Sequence, residues 1–142
     1  VTYMICASDS NGGYPMDNDI KTKRLPDSEL EIMQIIWQEE PPVSRMTIED
    51  RLSKTHRLAS TTVLTLLTRL CNRGFLFVKK EKRTNMYTPQ VSEKDYLASE
   101  SRSIFARLYR SSPKTFAAAL CDSGISKEDL DELREMLEKG DL

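Results

Sequence analysis

The sequence predicts a mostly α-helical protein with one small β-hairpin. Apolar residues recur at helical spacing over most of residues 27–137, and a single β-rich stretch at residues 75–88 is long enough for two short strands. The length of 142 residues suits one small domain plus a further helical segment. Hydrophobic residues make up 39% and charged residues 30%, as in a soluble globular protein, and no apolar run approaches the ~20 residues of a membrane span.

The first 24 residues predict a disordered tail. Residues 1–15 contain adjacent glycines, Ser, Asn and Pro without sustained periodicity. They have neither the basic start nor the apolar core of a signal peptide. We expect the native polypeptide to begin at Met16, which the intact mass of the protein from its own host would test.

Two helices and a very short strand are predicted next. Apolar residues recur at helical spacing from residue 27 to Trp37, with acidic residues in the first turns, where the helix dipole favours them. Pro41 and Pro42 end this helix. Residues 43–44 predict the strand, and Thr47 is the expected N-cap of a second helix that runs to about residue 54.

Residues 59–73 predict a helix with two different faces. Val63, Leu66, Leu67 and Leu70 lie at i, i+3, i+4 and i+7 and form one buried stripe, and Gly74 supplies the left-handed stop. The opposite face is polar and carries Thr61, Thr62, Thr65, Thr68, Arg69 and Asn72. Threonine is a poor helix former, but its hydroxyl and methyl groups suit phosphates and base edges. A merely polar surface helix is the alternative.

A basic hairpin follows this helix. Residues 75–80 and 85–88 predict two strands, and the tip between them and its approach are basic. A hairpin of this kind after a helix-turn-helix is the wing of a winged helix. In that arrangement the helix enters the major groove, and the hairpin reaches an adjacent phosphate or the minor groove.

The net charge of −1 hides an uneven distribution. Residues 43–90 hold ten basic and three acidic residues, a net charge of +7, whereas residues 25–42 carry −5 and residues 91–142 carry −3. A block of +7 favours a polyanion partner because it attracts phosphates and releases their counterions. A solvated lysine-rich surface is the alternative.

Cysteine and histidine usage gives no support to an enzyme. Cys6, Cys71 and Cys121 are widely spaced and odd in number, and His56 is the single histidine. We therefore expect a reducing compartment and no disulfide framework, metal site, cofactor or catalytic residue. A redox-responsive regulator that uses Cys71 or Cys121 is the weaker alternative, because cysteine within an apolar helix face usually serves as a small hydrophobe.

Residues 91–142 predict three amphipathic helices. Ser92 with Asp95 starts one helix, Pro113 opens a second, and Ser126 with Asp129 caps the last. Tyr96 is among the expected packing residues of this segment. Because a small wing domain offers these helices little to pack on, we expect a C₂ dimer. The alternative is that these helices fold back on their own chain. The predicted interface consists of Leu97, Phe105, Leu108, Tyr109, Phe116, Leu120, Leu130, Leu133 and Leu137.

These residues match a known family. LPDSELEIMQIIW at residues 25–37 resembles the opening helix of the penicillinase repressor family (BlaI/MecI/CopY). STTVLTLLTRLCNRGFL at residues 60–76 is similar to its recognition helix, and YTP at residues 87–89 to the end of its wing. The likeness covers about residues 25–137.

The resemblance implies a bacterial transcriptional repressor in the cytoplasm, associated with the nucleoid. Such a repressor is a dimer that binds a palindromic operator, and one branch controls β-lactam resistance. In that branch a membrane sensor protease triggers cleavage of the repressor at an Asn-Phe bond. The aligned residues 119–122 read Ala-Leu-Cys-Asp here, and the closely spaced Cys-x-Cys pairs of the copper-sensing branch are absent. The implied partners are double-stranded operator DNA, a second copy of the chain and a sensor protease system.

The resulting fold class is an N-terminal winged helix-turn-helix domain plus a C-terminal helical dimerisation domain. Residues 1–24 are the expected tail, residues 25–90 the DNA-binding domain and residues 91–142 the dimerisation domain. A winged-helix protein-interaction module without sequence-specific DNA binding is the alternative, and retention on bulk DNA that depends on salt would distinguish the two. The expected DNA contacts are Arg57, Ser60, Thr61, Thr62, Thr65, Arg69, Lys79, Lys80, Lys82 and Arg83.

Overall fold

The computed structural model describes residues 3–4, 24–110 and 112–140. These residues form two compact units, Val1–Ser99 and Glu100–Leu142. The predicted class, mostly helical with a small antiparallel sheet, is confirmed. The elements are β1 (Tyr3–Met4), α1 (Asp27–Gln38), β2 (Val43–Ser44), α2 (Arg45–Leu52), α3 (Ser60–Asn72), β3 (Leu76–Glu81), β4 (Thr84–Pro89), α4 (Glu93–Leu108), α5 (Pro113–Asp122) and α6 (Lys127–Lys139).

The sheet of the first unit is antiparallel, with strand order β1-β3-β4-β2. The strands β3 and β4 form the predicted hairpin, and the pair Glu81 and Thr84 closes it. The short strand β2 pairs with β4 and so connects the helix-turn-helix to the hairpin. This order of helices and strands confirms the winged helix-turn-helix.

The core lies between α1, α2, α3 and one face of the sheet. The predicted stripe on α3 is buried along its whole length: Val63, Leu66, Leu67 and Leu70. The helix α3 packs against both α1 and β3, which leaves its polar face outside. The interpretation of α3 as a two-faced helix is confirmed.

The end of α3 has the geometry that the sequence predicts. Gly74 has φ of +81°, a left-handed conformation that glycine adopts without steric cost. The Phe75 N–H donates to the Leu70 carbonyl (2.9 Å) and the Gly74 N–H to the Cys71 carbonyl (3.0 Å). This pair of bonds is a Schellman motif, and it directs the chain from α3 straight into β3.

The start of α2 differs from the prediction. The N-cap is Ser44, whose Oγ accepts a hydrogen bond from the Thr47 N–H (3.2 Å). Thr47 lies inside the helix, and its hydroxyl contacts that of Ser44 at 3.0 Å. Both residue types cap helices, and Ser44 takes the position because its extended conformation completes β2 immediately before the helix begins.

Tyr96 belongs to the core of the first unit, although the sequence assigns it to the C-terminal segment. It is 2% exposed, and its ring packs against Trp37 and Phe75 at centroid distances of 5.6 and 5.9 Å. Its hydroxyl accepts a hydrogen bond from the Leu25 N–H (3.1 Å). An amphipathic pattern shows which face of a helix is apolar but not which neighbour covers it.

The expectation of a disordered tail is wrong for two residues. Tyr3–Met4 forms β1 and pairs with β3 opposite Val78 and Lys79. Strand pairing uses backbone groups, so two residues join a sheet edge without any side-chain periodicity that would reveal them. The remainder of the expected tail up to residue 23, including Met16, lies outside the described residues.

The second unit consists of helices with little internal burial. The cap predicted at Ser126 is confirmed, since its hydroxyl accepts a hydrogen bond from the Asp129 N–H (3.1 Å), as is the cap at Ser92 in the first unit, whose hydroxyl accepts from the Asp95 N–H (3.1 Å). Pro113 opens α5 as predicted. Neither α5 nor α6 has a buried residue. Within the described parts of the chain, no helix has both the length and the apolarity needed to cross a bilayer.

Candidate nucleic-acid interface

The outer face of α3 is exposed along its length. Thr61, Thr62, Thr65 and Arg69 are all exposed, as is Ser60 at the start of the helix. The Thr65 hydroxyl donates to the Thr61 carbonyl (2.9 Å). Thr68 makes the same bond to the Leu64 carbonyl, also at 2.9 Å. Because these protons are used within the helix, Thr65 and Thr68 offer a partner their methyl groups and oxygen lone pairs.

Leu64 is an exposed residue on α3 that the sequence analysis did not single out. It is 39% exposed, at the edge of the threonine face. A single leucine outside an otherwise regular buried stripe is the only signal for it in the sequence. Its apolar side chain adds to the methyl-rich character of this helix surface.

The wing ends in a tight turn made of two basic residues. Lys82 and Arg83 have φ of +46° and +67°, and they are the only residues between the paired positions Glu81 and Thr84. Positive φ at both central positions matches a type I′ turn, which favours Asn and Gly. Left-handed conformations are disfavoured for residues other than glycine, asparagine and aspartate, so this turn has two cations at positions where hairpin stability favours other residues.

The cations of the basic block fall into two groups. Four are held in ion pairs: Arg45 with Glu49, Arg51 with Glu39, Arg73 with Glu29, and Lys79 with Glu81. Among residues 24–110, the other six have no carboxylate within ion-pair distance: Lys54, Arg57, Arg69, Lys80, Lys82 and Arg83. The second group lies around the α2–α3 turn, on α3 and on the wing.

The turn between α2 and α3 is also basic and open. Arg57 is exposed and, with Ser60 at the start of α3, lines a shallow recess that also contains Met46 and Asp50. The neighbouring His56 is held by Glu31 of α1, with 3.4 Å between Nδ1 and Oε1. The expected contacts Arg57 and Ser60 therefore lie together, next to the threonine face.

The comparison with known families matches nearly the whole described chain. The model of the penicillinase repressor family covers residues 25–139. The chain belongs to the penicillinase repressor family. The resemblance found in the first helix, the recognition helix and the wing is thereby confirmed.

Curated members of the penicillinase repressor family align over most of their length. The penicillinase repressor of Bacillus licheniformis is 32% identical over 120 residues, which are 84% of this chain and 93% of the relative. The methicillin resistance regulatory protein MecI of Mammaliicoccus sciuri is 28% identical over 125 residues, 87% of this chain and 99% of that protein. Among solved structures, the chain is similar to the solution structure of the Bacillus licheniformis BlaI monomeric form in complex with the blaP half-operator. The two sequences are 36% identical in the matched region, which includes 53% of this chain and 90% of the BlaI chain, and the TM-score is 0.45.

Proposed function

We propose that this protein is a dimeric transcriptional repressor that binds a palindromic DNA operator. The observation that carries the proposal is the placement of the six cations that have no carboxylate within ion-pair distance among residues 24–110: they lie around the α2–α3 turn, on α3 and on the wing. An exposed helix enters a major groove and cations bind the flanking phosphates. The names of the relatives, a penicillinase repressor and methicillin resistance regulators, support β-lactam resistance as the regulated process and the bacterial cytoplasm as the location.

The second unit supports the dimer. Leu97 just before it, and Leu108, Phe116, Leu133 and Leu137 within it, are all exposed, although they are large and apolar. Phe105, Tyr109 and Phe116 form an aromatic cluster with centroid distances of 5.3 to 6.5 Å. A second copy related by C₂ symmetry covers such a face with the same residues from both chains. Two recognition helices then read two half-sites about one DNA turn apart, or a multiple of it.

A sensor protease is not included among the proposed partners, because the residues aligned with the family's cleavage site differ from the Asn-Phe bond. Residues 119–122 form the end of α5 and do not contain the Asn-Phe pair. The proposed function therefore comprises operator binding and repression.

Selection of bound fragments from a genomic DNA library tests the function. We expect enrichment of palindromic sites whose half-site spacing matches one or two helical turns, together with retention on bulk DNA that falls steeply with salt. Absence of any retention at about 50 mM salt, where non-specific contacts are strong, would instead identify a protein-interaction module.

A substitution at the wing tip measures one phosphate contact. Lys82→Asn is expected to reduce the magnitude of the slope of log affinity against log salt concentration, called the salt slope below, by about one unit. The reduction is expected for duplexes of any sequence. Asparagine tolerates the left-handed conformation of this turn, so the variant keeps the hairpin intact. Fluorescence anisotropy at four or more salt concentrations gives the slope, and a slope equal to that of the parent protein would exclude Lys82 from the phosphate contacts.

Two substitutions of Thr65 separate its methyl group from its hydroxyl. Thr65→Val keeps the shape and loses the hydroxyl, whose proton is already bonded to the Thr61 carbonyl. We expect operator affinity within about twofold of the parent, since this proton is not available to a phosphate or to a base acceptor and the oxygen lone pairs cannot bind a phosphate. Thr65→Ser loses the methyl and is expected to weaken binding about fourfold, because one buried methyl-sized group contributes about 0.8 kcal/mol. The reverse order in a competition assay would show that the hydroxyl makes the contact.

A further inference from the structure

The two faces of the wing carry different chemistry. Side chains alternate between the faces of a strand, and Leu76 and Val78 of β3 and Tyr87 of β4 are buried against the core. Lys80 follows Val78 by two positions and is paired with Asn85 across the hairpin. Lys80 and Asn85 therefore extend the core-facing side of the sheet beyond the core, and both are exposed. We call these two residues the inner wing face.

The opposite side of the hairpin, which we call the outer wing face, includes Lys79 and Glu81. Their side chains meet, with 3.4 Å between the Lys79 Nζ and the Glu81 Oε1, as expected for residues two apart on one side of a strand. The cross-strand neighbours on this face are Met86 and Thr84. The outer wing face thus offers a partly neutralised cation, a carboxylate and a thioether.

These differences decide which face suits a phosphate backbone. Contact of DNA with the outer wing face places the Glu81 carboxylate near phosphates, where like charges repel, and competes for Lys79 with an ion pair that already exists. Lys80 has no carboxylate within ion-pair distance in residues 24–110. The helix α3 packs on β3, and the buried residues of β3 place the helices on the inner side of the sheet.

We propose that the wing contacts DNA through its inner face, with Lys80 on a phosphate and Asn85 hydrogen-bonded to the DNA beside it, while Lys79 and Glu81 stay out of contact. This inference rests on the proposed function. It adds Asn85 as a binding residue, and it removes Lys79 from the group of basic wing residues that the sequence predicts. An amide such as that of Asn85 donates and accepts hydrogen bonds, so it serves either a phosphate oxygen or a base edge.

The adjacent lysines provide a matched pair of variants. Lys80→Ala is expected to lower the salt slope by about one unit and to weaken binding at every salt concentration up to the physiological range. Lys79→Ala is expected to leave the slope within about 0.3 units of the parent, because it contacts no phosphate. Lys114→Ala, on α5 of the second unit, removes the same charge and reports any effect of net charge alone. Thermal unfolding of each variant verifies that the wing remains folded.

Two further variants test the carboxylate and the amide. Glu81→Gln is expected to leave the salt slope unchanged, because the outer wing face does not contact DNA. If DNA did contact that face, the variant would bind more tightly than the parent and with a steeper slope, since the substitution removes a carboxylate that repels phosphates. Asn85→Ala is expected to weaken operator binding about threefold to tenfold, the net value of one hydrogen bond, without a change in slope.

The outcomes separate this inference from the proposed function. A slope change for Lys79→Ala equal to or larger than that of Lys80→Ala, or no effect of Asn85→Ala, would overturn the inner-face assignment while DNA binding itself persists. If the parent protein binds no duplex at about 50 mM salt, the proposed function fails, since even non-specific contacts are strong there.

Discussion

Replacing Arg73 with methionine is expected to lower the free energy of unfolding by about 2–4 kcal/mol. Glu29 is 1% exposed, and its Oε2 accepts a hydrogen bond from the Arg73 Nη1 at 2.9 Å. Without Arg73 the carboxylate stays buried and loses its counter-charge. The expected loss lies below that of a fully buried pair because the Arg73 side chain is 38% exposed and because Glu29 sits in the first turn of α1, where the helix dipole favours a carboxylate.

Chemical denaturation monitored by circular dichroism measures this effect. Arg69→Met is the matched control, because Arg69 is also an exposed cation near the end of α3; we expect it to weaken DNA binding and to leave stability within about 0.5 kcal/mol. The double variant Glu29→Met, Arg73→Met is expected to regain part of the lost stability, as replacement of a buried ion pair by apolar residues is often neutral. Equal stabilities of Arg69→Met and Arg73→Met would contradict a structural role for the pair.

This pair shows what local sequence patterns leave undetermined. The sequence predicts acidic residues in the first turns of the first helix, among them Glu29, and a basic block at residues 43–90 that includes Arg73. The contact joins residues 44 positions apart, so it becomes visible only when α1 packs on α3. For the same reason, the sequence alone does not separate the paired cations from those available to DNA.

Elements with strong local signals were predictable. The periodicity of α1 and α3, the stop at Gly74 and the β-rich runs of the hairpin all appear in the structure within one or two residues of the expected limits. The start of α2 was not predictable, because Ser44 and Thr47 are both good caps and only the geometry of the preceding strand selects between them. Within the candidate site, the threonine face was predictable from spacing, whereas the inner and outer wing faces depend on the exact register of β3 against β4.

The proposed dimer connects the second unit with operator affinity, and this connection predicts a large effect of substitutions on α6. Replacing Leu133 and Leu137 with aspartate places two charges on the exposed apolar side of α6, where the leucines are 39% and 57% exposed. Burial of an unpaired charge is costly, so we expect the variant to be a monomer. Affinity for a palindromic operator is then expected to fall by about 10²- to 10⁴-fold, because the second half-site is no longer bound by a linked subunit. Affinity for an isolated half-site is expected to stay the same, since the winged helix is unchanged.

Sedimentation velocity and anisotropy on full and half operators distinguish this result from a general loss of structure. Lys127→Glu adds the same net charge at the first turn of α6, where the helix dipole favours an acidic residue, and it is expected to leave both the dimer and operator affinity unchanged. A monomeric double variant with full affinity for the palindrome would show that the two half-sites are bound independently. If the variant remained dimeric, the dimer contact would lie away from this side of α6. The apolar side of α6 would then pack against its own chain.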